Sequence, residues 1–287
     1  MSKFILSAFA DEAGKSLEEQ IEALHRNGIR YMEVRAINGM SICKTPLATV
    51  AEYKKQLDEA GIQVATIGSS VGKVAVDDDW DAHLAMFLHT LGVAKILGAT
   101  GIRMFSIFMP EDKDPDAYRE LVMTRMQQLL DIANAVGITL YHENEKNIYG
   151  DVESRVMELM DTFEGKMRFI FDPANYIQCG CKPLEIYPAL KDRTAYFHIK
   201  DALFSDGSVV PAGAGDGNIC ELLADFAKDH ENTMLTIEPH LKVFPGLTDT
   251  VSMPGEKNFV YKTNAEAFDA AVAALKQILE QEGLSYV

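Results

Sequence analysis

No stretch of the 287-residue chain approaches the roughly 18–20 consecutive apolar side chains that a membrane-spanning helix needs. Basic residues are scarce as well: 27 Lys and Arg stand against 43 Asp and Glu, a formal net charge of −16. Nucleic-acid binding draws most of its affinity from Lys and Arg neutralising phosphates. No basic run offsets the acidic field, which excludes nucleic acid and anionic membrane surfaces as partners and favours a small polar or cation-assisted substrate. Cysteine is sparse. Cys43, Cys179, Cys181 and Cys220 include one C-x-C pair and no second pair to complete a zinc knuckle, so free thiols are expected rather than a disulfide frame. The first residues carry one Lys and a short apolar stretch that runs straight into Asp11-Glu12, without a small-residue cleavage signal. A cytoplasmic location is the expectation. What is present, 47% hydrophobic and 24% charged, is the composition of a soluble globular domain.

Short β-rich runs alternate with longer helical patterns about eight times along the chain. The runs predict strands over 4–9, 30–35, 62–67, 102–107, 138–143, 167–172, 194–199 and 234–238. Helices are expected over 16–27, 46–60, 79–97, 115–136, 152–162, 183–190, 219–229 and 265–282. Ser16 with Glu19 three residues later forms a capping box for the first helix. A glycine followed by an aliphatic residue opening a strand recurs at Gly28-Ile29, Gly61-Ile62, Gly101-Ile102 and Gly137-Ile138. Strict β–α alternation without a Pro/Ser-rich linker argues for one domain with a parallel sheet over 1–287. Eight repeats in about 250 residues is the size of a (β/α)8 TIM barrel. The competing doubly wound sheet lacks support, because no G-x-G-x-x-G follows the first strand and no P-loop is present. Two long loops are expected, after strand seven around Gly207–Gly217 and after strand eight around His240–Tyr261. The second, with Pro245, Gly246, Pro254 and Gly255, has the length to cover a barrel mouth or join the interface of a homo-oligomer.

Active sites of such barrels lie at the C-terminal ends of the strands. Strand five ends His142-Glu143-Asn144, strand six Phe171-Asp172-Pro173-Ala174-Asn175, strand seven His198-Ile199-Lys200-Asp201, and strand eight Glu238-Pro239-His240. Four successive strands thus deliver Glu143, Asp172, His198 and Glu238 to one mouth. Each alone has a plain structural explanation, such as a turn cap or a satisfied polar group. All four together would leave unpaired buried charge, which one divalent cation resolves. Three carboxylates with one imidazole suit Mn2+, Mg2+ or Co2+, and Zn2+ also fits the set. His142 neighbours Glu143 and by alternation points away from it; His25, His83, His89, His230 and Trp80 read as packing or surface residues.

These motifs resemble the xylose isomerase-like barrel superfamily, in particular its sugar-phosphate isomerase/epimerase branch. That branch includes ketose 3-epimerases, hydroxypyruvate isomerase and inosose dehydratase. The resemblance runs from Ser7–Glu12 to the last helix and is carried by H-E-N at 142–144, F-D-P-A-N at 171–175, H-I-K-D at 198–201 and Glu238-Pro239. It implies that Glu143, Asp172, His198 and Glu238 hold one divalent metal and that Glu143 and Glu238 double as the acid/base pair. A metal on a substrate carbonyl and its neighbouring hydroxyl stabilises an enediolate, from which one glutamate removes a proton while the other returns one. The pattern departs from the ketose 3-epimerases at Tyr149, Asn175 and Phe204, where they carry Glu, His and Arg. The metal site carries over; the ketose pocket does not.

Substrate contacts are therefore expected from other residues: Arg35 at the end of strand two, Lys73 in the glycine-bounded loop 68–74, Asn175, Lys200 on the face of His198, and His240. The expected substrate is a small carbohydrate with a carbonyl, such as an oxidised sugar, a cyclitol or a sugar acid. A lyase or dehydratase eliminating from the same enediolate is the alternative. A multi-metal abasic-site nuclease would need histidines at the ends of strands one to four, and there are none.

Overall fold

The computed structural model describes residues 3–111, 113–243 and 259–287. Eight parallel strands close into a barrel: β1 Phe4–Ala8, β2 Tyr31–Val34, β3 Gln63–Val71, β4 Gly101–Met104, β5 Thr139–Glu143, β6 Met167–Phe171, β7 Thr194–Ile199 and β8 Thr233–Ile237. Each strand pairs with its sequence neighbour, and β1 closes the ring on β8 with Phe4 beside Thr233 and Ala8 beside Ile237. Around the barrel run α1 Leu17–Arg26, α2 Leu47–Glu59, α3 Trp80–Leu97, α4 Arg119–Ala135, α5 Glu153–Thr162, α6 Pro173–Gln178, α7 Pro183–Leu190, α8 Ile219–Phe226 and α9 Asn264–Gln281. This is the α/β TIM barrel that the alternation predicts. Among the described residues no helix is long and apolar enough to cross a membrane.

Local chemistry sets most boundaries. The Ser16 hydroxyl accepts from Glu19 N at 3.2 Å while Glu19 Oε2 accepts from Ser16 N at 2.8 Å, the expected capping box. The helix α3 closes at Gly98 with φ 75°, whereas Gly101 lies inside β4, where a Cβ would meet the Tyr141 ring at 2.4 Å. Gly98, not Gly101, makes that turn. Strand β4 stops at Met104 rather than continuing to Ile107, because Ile107 sits at φ 70°, a left-handed conformation costly for a β-branched residue. Part of the loop expected after strand three is strand, since β3 runs on to Val71. The short helix α6 is an addition to the expected set. Asp172 caps it by accepting from Asn175 N at 2.9 Å, with Pro173 in its first turn.

The apolar core lies between barrel and helices, with Leu24, Leu57, Val93, Leu130, Leu159 and Leu223 fully shielded. Inside the barrel the composition changes. Ser7, Glu33, Arg103, Glu143, His198 and Thr236 are all buried there, a polar filling where many barrels carry branched aliphatics. The loop after β7 begins as a ribbon pairing Asp201–Ala202 with Val209–Val210. It then winds around the buried Asp201 carboxylate, which accepts from the amides of Gly213, Gly215 and Gly217 at 2.8–3.1 Å. A Cβ at Gly215 or Gly217 would stand 2.3 or 2.6 Å from Asp201 Oδ1, which explains the glycine-rich stretch. Much of the long loop expected after strand eight, including Pro245, Gly246, Pro254 and Gly255, lies outside the described residues. Trp80 packs between α3 and α4, stacked on His83 and donating to Gln128 at 2.8 Å. All four cysteines are free.

Candidate active site

The four strand-end residues converge. One side-chain oxygen or nitrogen from each of Glu143, Asp172, His198 and Glu238 lies within 4.8 Å of the other three, and all four residues are buried. Period-two alternation explains the meeting, because it turns Glu143 of β5 and His198 of β7 inward while His142 turns out. The outward imidazole of His142 lies 2.9 Å from the Ser106 hydroxyl, as its neighbour position implies.

Each group is held from behind. Glu143 accepts from Arg103 Nη1 at 3.1 Å and from Asn175 Nδ2 at 3.1 Å. Glu238 accepts from Arg35 Nη1 at 3.1 Å and from Lys200 Nζ at 3.0 Å. The ammonium of Lys200 lies 2.9 Å from Asp172 Oδ2, so it bridges two of the four. The Asn144 side chain clips β5 to β6 by bonding both the amide and the carbonyl of Asp172 at 3.0 Å. His198 stands between carboxylates, with Nδ1 3.1 Å from Glu143 Oε1 and Nε2 3.2 Å from Glu33 Oε2.

Burial and these partners decide the protonation states. Burial would raise the Glu143 carboxyl, but His198 and Arg103 outweigh it and hold it at about 2. Burial acts the same way on Glu238, and Lys200 keeps that group well below the usual carboxylate range. For Asp172 burial wins over Lys200 and lifts the carboxyl to about 7. Burial would lower His198, yet Glu143 and Glu33 on its two sides hold it up at about 10. Burial also raises Glu12 to about 8 against the pull of Arg35, and depresses His240 to about 4.

The charge count tests whether a metal suits this set. Asp11, Glu12, Glu33, Glu143, Asp172 and Glu238 are six buried carboxyls facing three fixed cations, Arg35, Arg103 and Lys200. By itself the chain makes up the difference with protons on His198, Asp172 and Glu12. The Nδ1 of His198 and Oδ2 of Asp172 are buried atoms without a well-directed hydrogen bond, and Nδ1 faces Glu143 and Glu238 at 3.1 and 3.7 Å. A divalent cation with three oxygens and one nitrogen around it supplies the charge those protons supply. The residues fit such an ion. Loading it must therefore expel protons from His198 and Asp172, so affinity is expected to rise with pH. The rise should approach about a hundredfold per pH unit below 7 and about tenfold per unit between 7 and 10. Calorimetric Mn2+ titrations in buffers of different ionisation enthalpy measure the released protons; a pH-independent affinity with no release would mean that His198 and Asp172 carry no protons in the metal-free site.

The expected substrate contacts divide. Arg35, Asn175, Lys200 and His240 all touch the four-residue group or its neighbours. His240, at φ 45°, leaves the strand line and places Nε2 3.4 Å from both Glu12 and Glu238. Lys73 is half-buried, paired with Glu145 at 3.1 Å and 4.3 Å above the Phe105 ring, the other neighbour of which is Arg103 at 5.0 Å. Tyr149 does not line the mouth, since it bonds Glu158 at 2.6 Å, and Phe204 is exposed on the β7 ribbon. Sequence patterns alone miss Arg103, Asp11, Glu12 and Phe9, and put Glu33 on the face of Arg35 without giving it a role. Phe9 is a ring under both Arg35 and Arg103, 4.5 and 4.9 Å from their guanidinium carbons. One usable signal exists: an Arg between Ile102 and Met104, inside a short apolar strand, is unusual unless paired.

Comparison with known proteins agrees with this architecture. The pattern of the xylose isomerase-like TIM-barrel family matches residues 21–270. Among solved structures, a D-allulose 3-epimerase from Methylomonas sp. superposes with a TM-score of 0.72 at 17% identity, covering 97% of this chain and 99% of that one. The probable 3-DHS dehydratase AsbF of Bacillus anthracis gives 0.72 at 12% identity, covering 96% and 99%. An IOLI protein with a bound zinc atom gives 0.72 at 14%, covering 98% and 99%. At these identities the likeness is one of fold. No curated protein matches the sequence.

Proposed function

Because the chain belongs to the xylose isomerase-like TIM-barrel family, we propose that it is a divalent-metal-dependent isomerase or epimerase of a sugar or sugar-like carbonyl compound. The observation that carries this reading is the pairing of Glu143 and Glu238. Both reach the same small volume, from strands separated by two others, and both are kept ionised by cations behind them. A divalent ion held by Glu143, Asp172, His198 and Glu238, with Mn2+, Mg2+ or Co2+ favoured over Zn2+, would polarise the substrate carbonyl and acidify the adjacent C–H. One glutamate then takes the carbon-bound proton from one face, giving the enediolate, and the other returns a proton from the opposite face. Return to the neighbouring carbon interconverts aldose and ketose instead. Arg35, Lys200, Asn175 and His240 surround the pair and, with Lys73, are the proposed contacts to substrate oxygens. The proposed substrate is a polyol-rich carbonyl compound, such as an oxidised sugar, a cyclitol or a sugar acid.

Elimination of a β-hydroxyl from the same enediolate is the second reading. The Lys200 ammonium, 3.0 Å from Glu238, is a hydrogen-bond donor beside the reacting pair that would stabilise a departing oxygen. Both readings are tested by incubating the Mn2+-loaded protein with ketohexoses, keto-glycosides and inososes in D2O. Isomerisation or epimerisation puts deuterium on carbon without loss of water; elimination gives a product lighter by water. Absence of carbon-bound deuterium across the panel would overturn the proton-transfer reading.

A further inference from the structure

We infer that Glu33 is a positioning residue of this centre, holding the Nε2–H of His198 so that Nδ1 is the atom turned toward the metal. The inference rests on the metal reading proposed above and extends it to a residue on β2, outside the four-residue set. Glu33 Oε2 lies 3.2 Å from His198 Nε2, and both side chains are completely buried. Flanked by Glu33 and Glu143, the metal-free imidazole carries hydrogen on both nitrogens; an ion would displace only the Nδ1 hydrogen, and the Nε2–H stays directed at the Glu33 oxygen. In the neutral imidazole that leaves the Nδ1 lone pair facing Glu143 and Glu238, 3.1 and 3.7 Å away. The ring cannot readily turn out of this pose. Phe9 meets it edge-on at 5.2 Å and Tyr196 at 5.6 Å between ring centres.

Glu33 is itself fixed. The Tyr196 hydroxyl donates to the same Oε2 at 3.2 Å, and Oε1 has no hydrogen-bond partner among the described residues. The β2–β3 register slips between Met32 and Glu33, an irregularity of the kind that re-aims a side chain. A carboxylate this deeply buried and only half satisfied is expensive to keep for packing alone. Orienting a ligand imidazole through its second nitrogen is a role that requires it.

Reach and charge can be separated. Glu33→Asp keeps the charge but, one methylene shorter, loses Nε2; Glu33→Gln loses the charge but keeps an acceptor at the same reach. Co2+ is titrated into the full-length protein and both variants, following affinity and the visible ligand-field spectrum, with thermal unfolding of the metal-free forms as the folding control. Glu33→Asp should bind Co2+ about 10–100-fold more weakly with a changed spectrum. Glu33→Gln should lose less and keep the wild-type band shape. An Asp variant within about twofold of wild type, or equal losses in both variants, would overturn the positioning role. A wild-type protein that binds no Co2+ would instead overturn the metal reading beneath it.

Discussion

Glu143→Gln and Glu238→Gln, each saturated with metal, are expected to lose about a thousandfold in product formation and yet to fail in different ways. Each variant keeps one glutamate, and with it the ability to take a proton from one face of the substrate. With no partner to deliver a proton from the other face, that proton exchanges with solvent and returns where it came from. One variant should therefore wash deuterium into one epimer, and the second variant into the other. The surroundings of the two groups support this symmetry. Arg103 and Asn175 hold Glu143 as Arg35 and Lys200 hold Glu238, with Arg103 also 3.6 Å from Glu238. Replacement by Gln also weakens the ligand set, so metal content is measured alongside, and exchange is compared at full occupancy. Wild-type exchange of both epimers by both variants would remove the glutamates from the chemistry.

The strand order and the four converging residues are legible in the sequence because both are local patterns. Alternation of period two fixes which strand residues point inward, and a barrel of parallel strands puts every strand end on one rim. What escapes has a different origin. Arg103 donates to Ser69 and Glu143, 34 and 40 positions away, and Glu33 meets His198 165 positions further on. Nothing in a local window marks such pairs. The same alternation that puts Arg35 at the mouth also puts Glu33 inside, but its role depends on a ring from the far side of the barrel. Helix α6 escapes because six residues are too few for a helical period, and Asp172-Pro173 reads equally as a turn. The partners that hold Lys73, Glu145 and the Phe105 ring, likewise follow other strands and leave no mark in its own loop.

Lys200→Met should be the most destabilising single change at the mouth in the metal-free protein. Its ammonium is the one cation lying within 3.0 Å of both Asp172 and Glu238 among the described residues, and its side chain is 4% exposed. Methionine fills similar volume but takes from the buried Asp172 carboxyl its ammonium partner and leaves Glu238 to the arginines alone. Breaking a buried pair in this way costs about 3–5 kcal/mol, or about 6–20 °C in Tm at 2–4 °C per kcal/mol for a chain of this size class. Lys73→Met is the matched control, because its pair with Glu145 is partly solvated and should matter by no more than about 1 kcal/mol. The pH dependence has a definite sign. Without Lys200 the folded-state carboxyl pKa values rise, and a carboxyl raised above its unfolded value adds stability only while protonated. The Lys200→Met deficit should therefore shrink as pH falls toward 5 and widen as it rises past 7. Metal should narrow the gap between variant and wild type at neutral pH, since a divalent ion between the same carboxylates replaces the missing charge. Equal melting temperatures for the two Lys variants across that range would mean that Lys200 does not balance the charge of the mouth.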